Sequence, residues 1–433
     1  ISLPLSSILH LLLNKVYLIA ALILVCKNKG MNKLRSFIFI ALVTLGDNAA
    51  WSEMPFKVPL QTRKEWNFEK EGVQFSNNFS GARLNNCTHL QDNIYVVTIS
   101  PENSPINHSP WYAFKISSSK KQTIEVRFLL THPGTTCKPI ISFDGKEFKA
   151  LEKDKWKATN SEKKILASAL LKVGPNPLWV FAHQPINLDN LDLWSNTLAK
   201  SPSTKITTIG KSMEGRPIKQ LALGNPDATN FIFILGRQHP PEVTGSVGLM
   251  SFVDAIALNS PLSKTFRHSF QTIVIPVVNP DGVEHGHWRS TLGGVDPNRD
   301  YGPFTQIETR AVRDALTTIA KQPKARVYLF LDFHSTSEDI FYTQRDEDQT
   351  FPLLFTKRWL KGIQEHFPNY AFKRDAGHNE NLPTSKTWAY KTFGCAGITY
   401  EFGYNTSFEK VRVIASGAAD EMMKILVAET TSR

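Results

Sequence analysis

Along residues 54–185 the apolar positions come in short runs separated by Pro, Asn, Ser and Gly clusters. The stretches 94–99, 111–116 and 123–130 are rich in β-branched and aromatic residues, which predicts strands. Short strands punctuated by turn signals predict a β-sandwich over residues 53–185. A polar–apolar pattern over 187–200 predicts a helix, which the Ser201-Pro202-Ser203-Thr204 cluster ends. Beyond Ile206 the style changes. The runs 231–236, 273–278 and 327–331 are continuously apolar, as expected of strands covered on both faces. Pro276 argues against a central place for the second run, because it has no N–H to give to a ladder. Helical patterns over 243–258, 305–320 and 351–366 alternate with these strands. The expected fold of residues 186–433 is α/β, with a mixed, mostly parallel central sheet and helices on both faces.

The N-terminus reads differently. Met31-Asn32-Lys33-Leu34-Arg35 is a basic start, followed by an apolar stretch over 36–45 and the small residues Ala49 and Ala50. This is the layout of a signal peptide over residues 31–52, and it predicts a secreted or periplasmic protein. Residues 1–30 are expected to be an upstream extension outside the mature protein. A membrane anchor over 8–26 would place His10, Asn14 and Lys15 within the span, which is costly. The net charge of +11 falls when residues 1–52 are removed but stays positive. The basic residues are scattered, so nucleic-acid binding is not expected. Of the four cysteines, Cys87 and Cys137 could pair in an oxidising compartment or be two separate thiols. Cys395 reads as core.

The candidate chemistry lies in His239-Pro240-Pro241-Glu242 and in His334, which ends an apolar run. Two imidazole nitrogens and one carboxylate are the ligand set of a catalytic zinc, with one position left open. Alone, His-x-x-Glu is also what a turn histidine beside a helix-capping glutamate looks like. Here both pieces follow predicted strands, at the sheet edge where open α/β folds bind ligands. Glu401 ends the run 397–400, where a carboxylate could act as general base or simply form an ion pair.

Asn279-Pro280-Asp281-Gly282, His287-Trp288-Arg289 and Asp296-Pro297-Asn298-Arg299-Asp300-Tyr301 complete the pattern. With these segments the chain, over residues 187–428, resembles the M14 (funnelin) family of zinc metallocarboxypeptidases. Its wording is most similar to the cytosolic-carboxypeptidase-like branch. The resemblance implies the zinc carboxypeptidase fold and one Zn2+ per chain held by His239, Glu242 and His334. It implies that Arg289 polarises the scissile carbonyl and that Asn298 and Arg299 hold the substrate's terminal carboxylate. It further implies that Glu401 activates water at the zinc and later protonates the leaving amine.

Aligned without gaps, Lys386 falls on the family's side-chain pocket position, which implies a preference for an acidic C-terminal residue. The alternative is a solvated loop lysine. Two positions depart from the digestive members: Pro241 stands for an arginine, and Asn379 for a mobile tyrosine that Tyr390 or His378 could replace. The expected partners are peptide or protein C-termini, with no stable membrane span in the mature form. Two other readings stay open: an amidase or carboxypeptidase acting on cell-wall peptides, and a non-catalytic binding protein with a degenerate pocket.

Overall fold

The computed structural model describes residues 58–109, 111–132, 137–158 and 165–431. The signal-peptide and upstream-extension expectations, on residues 1–52, lie outside them. The sheet-rich part is built from two sheets. One runs Glu65–Phe68, Val73–Ser76, Ala113–Ser118, Leu178–Phe181, Ile140–Ser142, Lys149–Ala150; the other runs Asn86–Gln91, Ile94–Ile99, Gln122–Leu130, Ile165–Val173, Trp156–Ala158. The predicted alternation is real: along Ile94–Ile99 and Gln122–Leu130 every second side chain is buried. Those side chains meet Phe75, Phe114 and Val180 of the facing sheet, and Tyr112 just before one of its strands, in one core, which is what a half-buried strand requires.

The α/β part carries an eight-stranded sheet in the order Thr204–Lys211, Pro217–Gly224, Phe270–Ile275, Asn230–Gly236, Arg326–Thr336, Ala396–Gly403, Ile340–Thr343, Lys373–Ala376. Its four inner strands, from Phe270–Ile275 to Ala396–Gly403, are mutually parallel, and the flanking strands make it mixed. Burial on both faces explains the unbroken apolar runs. From Asn230–Gly236, Ile232 and Ile234 enter one core with the helices Val243–Ala257, Phe355–His366 and Phe408–Thr431. Phe231, Phe233 and Leu235 enter another with Ile307–Ala320 and Ser385–Phe393.

The expectation about Pro276 needs correction. The strand Phe270–Ile275 lies inside the sheet, between Pro217–Gly224 and Asn230–Gly236. It starts earlier than the apolar run and ends one residue before the proline, so Pro276 takes no ladder position. The helices Pro261–Ser269 and Phe408–Thr431 were not among the predicted elements. No single helix among the described residues is long and apolar enough to cross a membrane.

Glu308, in the first turn of Ile307–Ala320, is fully buried. Burial pushes its carboxyl up to about 7 from the ordinary 4.5. A folded-state carboxyl raised in this way destabilises once pH exceeds the unfolded value, and the cost is complete above about 7. Glu308→Gln is therefore expected to stabilise the protein by up to about 3 kcal/mol at pH 8, with the gain fading towards pH 4.5. Thermal melts at pH 5 and pH 8 check this; an equal Tm shift at both would show that the effect is not ionisation.

Candidate metal centre

The strand Asn230–Gly236 turns directly into the helix Val243–Ala257, and His239 and Glu242 occupy that turn. Arg237 enters the turn with φ 51°. Its buried guanidinium donates to the carbonyls of Pro240 (2.7 Å) and Ile186 (2.8 Å) and to Ser246 Oγ (3.1 Å). Glu242 stands at the helix N-cap position but makes no side-chain cap bond, so it is not the capping glutamate that the motif alone allowed. Gly245 lets the helix start close against the next strand: a Cβ there would lie 2.5 Å from the His334 carbonyl oxygen.

The result is a convergence of donors. Glu242 Oε1 lies 2.7 Å from His239 Nδ1, Glu242 Oε2 lies 2.7 Å from His334 Nδ1, and the two Nδ1 atoms are 3.2 Å apart. One donor atom from each residue lies within 4.8 Å of the others. All three residues are buried, yet they line a cavity of about 460 Å3. Each imidazole backs onto a carboxylate through its other nitrogen: His239 Nε2 onto Asp296 Oδ1 (2.9 Å) and His334 Nε2 onto Asp332 Oδ2 (2.8 Å). With a metal bound, a carboxylate behind each Nε2 would keep the proton there and leave the Nδ1 lone pair for the ion, as metal-binding histidines require. Two neutral imidazoles and a carboxylate, with one side open to the cavity, fit zinc.

The other expected residues line the same cavity: Arg289, Asn298, Arg299, Lys386 and Glu401. Parallel pairing of Arg326–Thr336 with Ala396–Gly403 sets Glu401 directly opposite His334. Burial pushes the Glu401 carboxyl up to about 7, and the nearby Glu242 carboxylate adds to this. Arg289 Nε donates to Asp296 Oδ2 (2.6 Å). Asp296 thus bridges Arg289 and His239. Burial alone would raise its pKa, but His239, Arg289 and Arg299 outweigh that and hold it well below the usual carboxylate range. Asn298 Oδ1 accepts from the backbone N–H of Ser385 (2.9 Å), and Arg299 Nη1 donates to the Asn298 carbonyl (2.7 Å).

Lys386 is not a solvated loop lysine. It lies in the first turn of Ser385–Phe393 with 3% of its surface exposed, and its Nζ donates to the His378 carbonyl (2.6 Å). Burial pushes the ammonium down to about 8.

Asn379, at φ 53°, and His378 both line the main cavity. Tyr390 lines a separate space of about 200 Å3 that also touches Lys386. Two tyrosines absent from the sequence reading do line the main cavity. Tyr342 has its ring stacked on His378 at 4.2 Å, and Tyr404 lies in the turn after Glu401. Asp296 and Asp332 were missed as well. Asp332 was findable, since it lies two residues before His334 and so on the same face of the strand. The sheet-rich part also reaches the cavity, through Asn107, His108 and Cys137. Nothing in its periodicity signals that. Cys87, Cys137 and Cys395 are all free thiols, so Cys87 and Cys137 do not pair.

A family model described as zinc carboxypeptidase, Peptidase_M14, matches residues 191–415. The chain belongs to this family, and zinc is the metal that the family and the donor set share. Among curated relatives, cytosolic carboxypeptidase 2 of Xenopus tropicalis is 24% identical over 331 residues, covering 66% of this chain and 34% of the relative. Cytosolic carboxypeptidase 6 of Homo sapiens is 28% identical over 184 residues, covering 39% and 37%. The chain thus spans about a third of the length of these relatives. A solved metallo-carboxypeptidase from Burkholderia cenocepacia superposes with a TM-score of 0.68 at 16% identity, covering 83% of this chain and 99% of that one. One from Pseudomonas aeruginosa gives 0.67 at 16%, covering 82% and 99%. The zinc carboxypeptidase fold expected from the motifs is the fold found.

The expected secreted or periplasmic location is corrected by the same relatives. Those relatives are cytosolic carboxypeptidases, which counts against export. The export reading rested on the basic start over 31–35, the apolar stretch over 36–45 and the small residues Ala49 and Ala50, all outside the described residues. The cell-wall reading drew its support from export and loses that support.

Proposed function

We propose that the chain is a zinc-dependent carboxypeptidase that removes an acidic C-terminal residue from intracellular peptides or proteins. The observation that carries this is the clustering of His239, Glu242 and His334 with Glu401, Arg289, Asn298, Arg299 and Lys386 around one cavity. Zinc, when bound by the first three, supplies a Lewis acid. Glu401 takes a proton from the attacking water and returns it to the leaving amine. A half-buried carboxyl whose affinity for protons is raised suits both halves of that task. Arg289, held by Asp296, donates to the carbonyl oxygen as negative charge builds there. Asn298 and Arg299 receive the terminal carboxylate, which a guanidinium can clasp with two parallel hydrogen bonds. This restricts cleavage to chain ends. Lys386 then meets a carboxylate on the terminal side chain.

Hydrolysis of blocked dipeptides ending in Glu, Asp, Leu, Phe or Lys tests the reading. Acidic ends are expected to give the highest kcat/KM. Lys386→Met is expected to cut the Glu-over-Leu ratio about 10–100-fold, the scale of one lost buried charge pair. In the unaltered protein the preference should weaken as pH rises through about 8, where the ammonium loses its proton. An unchanged ratio in Lys386→Met would show that the pocket lies elsewhere.

A further inference from the structure

We propose that Glu102, from the sheet-rich part of the chain, is a positioning residue for turnover. Its carboxylate gathers the backbone N–H groups of Trp288, Arg289 and Ser290 and so fixes where the Arg289 guanidinium stands. This rests on the role given above to Arg289.

The geometry is specific. Glu102 Oε2 accepts from Trp288 N (2.7 Å), and Oε1 accepts from both Arg289 N (2.9 Å) and Ser290 N (2.7 Å). The Glu102 side chain is fully buried, and Arg83 Nη2 lies 3.9 Å from Oε2. Burial alone would raise the carboxyl, but His287, Arg83 and the backbone bonds outweigh it and keep it ionised. Three consecutive backbone N–H groups turned onto one anion form a preorganised nest. A buried carboxylate is kept in such a place only when its hydrogen bonds are satisfied.

Arg289 is consequently held at both ends, its main chain by Glu102 and its head group by Asp296 Oδ2 at 2.6 Å. The wider loop has other ties to the sheet-rich part. Trp288 Nε1 donates to the Trp111 carbonyl (2.9 Å), and Asn103 Nδ2 donates to the Gly294 carbonyl (2.8 Å). These fasten the loop in general. The Glu102 bonds fall on the three residues centred on Arg289, and that focus separates placement from mere attachment. A donor displaced by about 1 Å from the developing oxyanion can cost on the order of 10²-fold in rate.

The test is a double-mutant cycle on the full zinc-loaded chain. Glu102→Gln turns an amide N–H towards backbone donors and is expected to lower kcat about 10–100-fold with KM and zinc content little changed. Glu102→Asp, which keeps the charge, should recover part of that loss, and it also serves in the cycle if the glutamine variant does not fold. In an Arg289→Ala background either change should cost nothing further. Losses that multiply in the double variant, or an unchanged kcat in both single variants, overturn the positioning role while leaving that of Arg289 intact. Full activity in Arg289→Ala alone overturns the oxyanion role and this proposal together.

Discussion

Glu401→Gln is expected to lower kcat by roughly 10²–10⁴-fold, the usual contribution of a placed general base, with zinc content unchanged. Glutamine keeps the shape and one acceptor oxygen but cannot take up a proton. Glu401 is not one of the three residues whose donors converge, so the metal should stay. It lies opposite His334 in the sheet, close enough to the metal position for its loss to be felt in turnover. Stopped-time assays on a blocked dipeptide ending in Glu, with metal analysis of the same sample, read both quantities. Wild-type turnover in this variant would remove Glu401 from the mechanism. Loss of metal alongside activity would instead recast it as a ligand.

A second large effect is expected at a residue that the motif reading passed over. Asp296→Asn should weaken zinc binding about 10–100-fold, the cost of losing a carboxylate behind a ligating histidine. It should also lower kcat when zinc is saturating. One carboxylate serves two side chains, His239 Nε2 at 2.9 Å and Arg289 Nε at 2.6 Å, and also accepts from the backbone N–H of Asn298 at 2.8 Å. An amide can accept from only one of the two side chains. If its nitrogen turns to His239, the ring must carry its proton on Nδ1, which blocks the atom that faces the metal. If its nitrogen turns to Arg289, two donors face each other and the guanidinium swings away. Chelator competition gives the zinc affinity, and rates at saturating zinc isolate the arginine's share. Unchanged values of both would show that the bridge is incidental.

The difference between Glu401 and Asp296 marks what the sequence made legible. Residues that carry chemistry at strand ends stood out, because an apolar run that stops at His334 or Glu401 has a physical reason to stop there. Supporting residues did not. Asp296 sits in a loop whose partners are 57 positions away for His239 and 7 away for Arg289, and no periodicity links them. Asp332 falls just past the apolar run 327–331, and only its two-residue spacing from His334 marks it. Lys386 came from alignment alone, and only burial distinguishes it from a loop lysine. In the fold, continuous hydrophobicity identified strands covered on both faces, but it misplaced the ends of the strand before Pro276. A proline just past a strand and one inside it leave the same hydrophobic trace. The sheet-rich part was readable as architecture, whereas its share in the cavity wall depends on long-range packing that no local pattern encodes.

Trp288 belongs to the α/β chain segment, yet its ring is counted among the core residues of the sandwich, beside Trp111, Tyr112 and Phe181. Synthesis proceeds from the N-terminus, so the sandwich strands leave the ribosome first with a gap where that indole will sit. The gap closes only after more than a hundred further residues have emerged, and the loop that closes it is the one bearing Arg289. Completion of the older half therefore waits on a residue of the younger one. Contacts of such sequence separation are slow to form. A nascent chain halted before residue 288 would hold a nearly finished sandwich and no catalytic loop at all.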